Sequence, residues 1–169
     1  PGLLHRDYLR HITIGNIEDD LSKIKDADWI TEAVVEKLEI KKTLYKKIDS
    51  FRKPKSIVSS NTSTIPISLL VEDMPESFKS EFAITHFFNP VRFMRLLEIV
   101  KGKSTKEEVI KSLQTFNDEI MGKGIVLCND TPGFLGNRIG VFAIQTALHQ
   151  AFKLDLSPEE ADSIFGRPM

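Results

Sequence analysis

Two short runs constrain this chain more than any other feature: residues 82–88 (FAITHFF) and residues 95–100 (RLLEIV). Each is apolar almost without interruption, which suits a strand buried on both faces inside an α/β sheet. The surrounding pattern agrees. Residues 11–16 (HITIGN) and 28–35 (DWITEAVV) predict short strands around a charged helix at 18–27. Residues 36–53 predict an amphipathic helix with Leu38, Leu44, Ile48 and Phe51 near one face. Residues 56–61 predict a further strand, and Thr64 can cap a short helix with Pro66 near its first turn. Ser104 and Glu107 form a capping-box pattern opening a helix over 105–121, and residues 124–129 (GIVLCN) predict another strand. Strands alternating with helices argue a layered α/β domain.

The character changes near Asp130, where the reading places a domain boundary: residues 1–130 form the α/β part and 131–169 a helical part. Thr131 can cap, and Pro132 suits a first helical turn. The helix predicted at 133–152 is apolar on nearly all sides, so something large must cover it. Ser157 can cap a last short helix over 158–165.

Bulk properties exclude several classes. The chain has 169 residues, a net charge of −1 and 28% charged residues, which gives no electrostatic reason for nucleic acid or a membrane surface. The Lys and Arg residues between Lys41 and Lys55 have no aromatic interleaving and read as a solvated face. A single cysteine, Cys128, precludes an intrachain disulfide and fits a reducing compartment. The four scattered histidines follow no zinc-ligand spacing, so no metal site is expected. Gly102-Lys103-Ser104 looks like the end of a phosphate-binding loop, but Leu97 stands where that motif needs its first glycine.

Alternation along the two buried strands puts Ile84, His86 and Phe88 on one face, and Leu96, Glu98 and Val100 on another. A carboxylate inside an apolar strand is costly unless paired, and a histidine on a neighbouring strand is a good partner. Such a pair fixes the imidazole tautomer and leaves the second ring nitrogen as a base. The bland alternative is a structural bond that satisfies two buried groups. On another register, Glu98 would instead meet Arg95 or Lys101.

Three motifs in order, SSNTSTIPIS, HFFNPVRFMRLLEIVKG and CNDTPGFLGNRIG, together with DADWITEAVVEKLEIKKTLYKKID upstream, resemble the 3-hydroxyacyl-CoA dehydrogenase family. The likeness runs from about His11 to Met169. It implies a Rossmann-like NAD-binding domain followed by the first helices of an all-α C-terminal domain. It also implies NAD-dependent oxidation of (S)-3-hydroxyacyl-CoA to 3-ketoacyl-CoA in fatty-acid β-oxidation, with an acyl-CoA substrate and a homodimer. A bacterial cytoplasm or a mitochondrial matrix would suit. By the same resemblance His86 is the general base and Glu98 orients its imidazole. Ser63 contacts the substrate hydroxyl near the nicotinamide, and Asn137 helps hold the substrate. Ala33, Glu36, Lys41, Ser63 and Asn89 match positions lining the NAD site.

One departure bears on the cofactor. Enzymes of this kind begin with a strand, a glycine-rich turn and a helix that cradle the pyrophosphate. Neither that turn nor a G-x-G-x-x-G appears here. The expectation is therefore a fragment that carries the catalytic pair, lacks the main cofactor grip and has little or no activity alone. Two rival readings stand beside it. The related crystallin and gulonate dehydrogenase branch acts on a sugar acid. A non-catalytic module would bury the helix at 133–152 by self-association.

Overall fold

The computed structural model describes residues 5–166. The chain divides into two compact units between Pro132 and Gly133.

The first unit is built on five strands: β1 (Trp29–Glu32), β2 (Ile57–Ser60), β3 (Phe82–Phe87), β4 (Leu96–Lys101) and β5 (Gly124–Cys128). They lie side by side in chain order. β1, β2 and β3 run parallel, β4 turns back antiparallel to β3, and β5 runs parallel to β4. The helices are α1 (Leu38–Phe51), α2 (Ile67–Leu70), α3 (Glu76–Lys79) and α4 (Glu107–Thr115), the last continuing as a π-helical turn over Phe116–Ile120. This is the α/β architecture that the apolar runs predict.

The two faces of β3 explain the layering. Ala83 packs with Leu97 and Ile99 against Val109, Ile110 and Leu113 of α4. On the opposite face, Phe82 meets Tyr45 of α1 and Phe78 of α3, with ring centroids 5.3 and 5.6 Å apart. Burial of such side chains contributes roughly 1.5–3 kcal/mol each before entropy is counted. A polar seam crosses the α4 side of the sheet. Trp29 Nε1 donates to Ser59 Oγ at 2.8 Å, and Ser59 Oγ lies 2.8 Å from Thr85 Oγ1.

Several local expectations are corrected. Residues 11–16 form no strand: the alternation is real, but no strand among the described residues pairs with it, and Ile14 is 88% exposed. The charged segment at 18–27 is a 3-10 helix over Leu21–Asp26. Thr64 does not cap α2, because its hydroxyl donates to Glu36 Oε1 at 3.2 Å. The cap comes from far along the chain: Ile67 N donates to both carboxylate oxygens of Asp130, at 3.1 and 3.0 Å. Ser104 does not open α4, which starts at Glu107 after Lys106. Thr105 acts nearby, its hydroxyl accepting from Gly102 N and donating to Phe82 O.

The second unit holds α5 (Gly136–Lys153) and α6 (Pro158–Ala161), the latter running on as a π-helical turn to Gly166. Thr131 and Pro132 precede α5 without capping it. Ser157 does cap α6, in a capping box with Glu160. Its donors hold the Glu160 carboxyl below the usual range. Apolar side chains on α5 stand open, with Phe142 at 72% and Phe152 at 82% exposure. Among the described residues no helix is long and apolar enough to cross a membrane.

Candidate active site

Antiparallel pairing of β3 and β4 sets His86 directly opposite Glu98. His86 Nδ1 lies 2.7 Å from Glu98 Oε2. Both are buried, Glu98 completely and His86 at 7% exposure. The other Glu98 oxygen accepts from Cys128 Sγ at 3.6 Å, across the parallel pairing with β5. Lys101, an alternative partner for Glu98, pairs with Glu107. The edge of Phe88 closes on the imidazole at 4.6 Å between centroids. A hydrogen-bonded carboxylate on Nδ1 fixes the ring tautomer and leaves proton exchange to Nε2.

A second polar group sits at the carboxyl ends of β1 and β2. Lys41, on the buried face of α1, directs Nζ to Glu32 Oε1 at 2.8 Å and to Glu36 Oε2 at 3.1 Å. Glu36 Oε1 accepts from the hydroxyls of Thr62 and Thr64 and, at 3.3 Å, from the backbone N–H of Ser63. Burial works to raise the Glu36 carboxyl. The Thr62 and Lys41 hydrogen bonds and the Lys41 charge outweigh it and hold the group below the usual range.

The structure thus brings His86 to Glu98, and Glu36 to Lys41 and the Ser63 turn. Asn61 links the two groups, since its side-chain oxygen accepts from Phe87 N at 2.8 Å, next to His86. Ala33 follows Glu32 at the end of β1. Asn89 lies exposed beyond β3 and precedes a cis bond to Pro90. Asn137 belongs to the first turn of α5, in the second unit.

Two participants escaped the sequence reading. Glu32 looked like any strand-end carboxylate, although Lys41, Tyr45 and Ile48 fall at helical spacing on the face that meets it. Asn61 carried no signal apart from its place after a strand. Among the described residues no group of three or more His, Cys, Asp or Glu could hold a metal ion.

Comparison with known proteins gives this geometry a family. Residues 4–131 match the family model described as "3-hydroxyacyl-CoA dehydrogenase, NAD binding domain". A Deinococcus radiodurans protein named "Probable 3-hydroxyacyl-CoA dehydrogenase" is 43% identical over 163 residues, which is 96% of this chain and 47% of that protein. The human "Hydroxyacyl-coenzyme A dehydrogenase, mitochondrial" is 36% identical over 151 residues, 89% of this chain and 47% of the relative. Among solved structures, (S)-3-hydroxybutyryl-CoA dehydrogenase from Ralstonia eutropha superposes with a TM-score of 0.76 at 29% identity. That likeness covers 88% of this chain and 52% of the other, and it makes the α/β unit Rossmann-like. The chain spans between about a fifth and about a half of the length of the curated relatives it matches. With its matched span covering most of the first unit, the chain belongs to the 3-hydroxyacyl-CoA dehydrogenase family, in that family's NAD binding domain.

Proposed function

We propose that the protein carrying this chain is an NAD-dependent 3-hydroxyacyl-CoA dehydrogenase and that His86 and Glu98 supply its proton-transfer step. The observation that carries the reading is the 2.7 Å contact between His86 Nδ1 and Glu98 Oε2 inside an apolar sheet. His86 takes the substrate hydroxyl proton at Nε2. Glu98 keeps the ring in one tautomer and balances its charge once the proton arrives. Ser63 holds the reacting oxygen, and the family resemblance gives Asn137 a part in holding the substrate.

The polar group at the carboxyl ends of β1 and β2 suits part of NAD, in the crevice where such sheets bind ligands. The Glu36 carboxylate, with its side chain 40% exposed, can accept from the hydroxyls of a ribose, while the enclosed Lys41 ammonium holds that carboxylate in place. A carboxylate at that point repels a pyrophosphate, so the group fits a ribose and not the phosphates. Ala33 and Asn89 line the same pocket in this reading. NAD, when bound, supplies the hydride acceptor.

The test is NADH oxidation with acetoacetyl-CoA by the full protein and by its His86→Ala variant. Loss of about 10²–10⁴-fold in kcat supports the assignment. A variant that turns over at the wild-type rate overturns it. Self-association through α5 accompanies this reading, because Ile139, Phe142 and Phe152 lie exposed along it. Light scattering that finds a strict monomer at all concentrations removes that part.

A further inference from the structure

Glu32 is a fully engaged carboxylate near the site. Its side chain is fully enclosed. Oε1 accepts from Lys41 Nζ at 2.8 Å and from Val34 N at 2.6 Å. Oε2 accepts from Tyr45 Oη at 2.6 Å and from Ser60 Oγ at 2.7 Å. The Tyr45 hydroxyl is pushed far above its ordinary value by burial and by the Glu32 charge, so it stays a donor. Four donors are what a carboxylate needs to remain charged away from water. They arrive from the loop after β1, from α1 and from β2.

The contacts do not stop there. Lys41 Nζ reaches on from Glu32 to Glu36, and Glu36 reaches on to Thr62, Ser63 N and Thr64. An unbroken line of hydrogen bonds therefore joins a buried carboxylate to the turn that presents Ser63.

We propose that Glu32 is a positioning residue that acts through Lys41 and Glu36 to fix the Ser63 turn. Lys41 is shared between two carboxylates. With the Glu32 charge removed, Glu36 is the counter-ion left in contact with the ammonium, and the pair draws closer. Glu36 Oε1 then leaves Ser63 N and Thr64. The use of that turn in catalysis rests on the functional reading above; the mechanical link does not.

The experiment is residue-resolved amide hydrogen exchange on the chain carrying Glu32→Gln, with no cofactor present. Exchange at Ser63 is expected to accelerate about tenfold, the loss of one hydrogen bond to a charged acceptor. Ile84 and Ile99, in the core of β3 and β4, are expected to keep their wild-type rates, and adding Lys41→Met, which removes the ammonium that draws Glu36 away, is expected to abolish the Ser63 acceleration. A Ser63 rate that does not change, or that rises only in step with Ile84 and Ile99, overturns the proposal and leaves Glu32 a core plug. Should Glu32→Gln fail to fold, Tyr45→Phe leaves the Glu32 charge with one donor fewer and a firmer claim on Lys41, so exchange at Ser63 is expected to slow, and an unchanged or faster rate overturns the proposal. An NADH fluorescence titration of the full wild-type protein separates the two claims. A protein that binds no NADH, yet whose Ser63 responds to Glu32→Gln, keeps the link and loses the functional reading. A protein that binds NADH, with Ser63 indifferent to Glu32, loses the link alone.

Discussion

His86 and Glu98 face each other across β3 and β4 as direct register partners, with Nδ1 2.7 Å from Oε2. Glu98→Gln keeps the shape and removes the charge that balances a protonated ring. Turnover by the full protein is expected to fall steeply while stability changes little. Glu98→Ala also strips the imidazole of its partner in a buried site and is expected to cost about 1–3 kcal/mol. Steady-state kinetics beside urea denaturation checks both. Turnover retained by Glu98→Gln would argue that the charge has no separate role.

Lys41 is the buried cation between Glu32 and Glu36. Lys41→Met fills the volume but leaves the enclosed Glu32 carboxylate short of its ammonium. Removing one partner of a buried ion pair costs about 3–5 kcal/mol. The double variant Glu32→Gln/Lys41→Met is expected to be less damaged than the sum of the singles. Chemical denaturation of the four proteins measures that coupling, and strict additivity would refute it.

Acid should weaken the same corner. Glu36 is held below its ordinary value: burial opposes this, but the donors from Thr62 and Lys41 prevail. A depressed native value means that the unfolded chain binds the proton first as pH falls. The Glu36 contribution is therefore complete above the unfolded value of about 4.3 and is lost as pH drops through the lower native value. Wild type should lose stability more steeply than Glu36→Gln on going from about pH 5 to about pH 3. Parallel slopes would show that Glu36 is not a participant.

Asp130 caps α2 from the end of the sheet, with both oxygens on Ile67 N. Asp130→Ala is expected to cost about 1 kcal/mol, and Asp130→Asn, which still accepts, much less. Thermal unfolding distinguishes them. Identical values would mean that the α2 amide finds another acceptor at no cost.

Legibility followed burial of apolar surface. β3 and β4 show in the sequence because near-continuous apolar runs have few other places to go, and the titratable residue in the interior of each run, His86 and Glu98, pointed to its partner. Ser157 was equally legible as a cap, since it stands directly before the helix it opens. Lys41 is the opposite case. By composition it belongs to a solvated basic stretch, and only the family resemblance set it apart. Its burial depends on Glu32, nine residues earlier on another element, and no periodicity announces such a bond. Thr64 and Ser104 failed as caps for a related reason. A hydroxyl near a helix start bonds whatever acceptor the tertiary fold delivers, and for Thr64 that acceptor was Glu36. Residues 11–16 alternate as a strand should, yet a strand exists only with a neighbour.

The reversal of β4 has a consequence for how portable the chemistry is. His86 and Glu98 are only 12 residues apart in the chain, joined by a return that the antiparallel pair closes by itself. Loop closure over so short a span is entropically light, and hairpin formation is among the faster folding events. His86 and Glu98 therefore travel as one local cassette. Parts that recognise the rest of a substrate can be lengthened, exchanged or fused to other domains without the dyad having to be rebuilt.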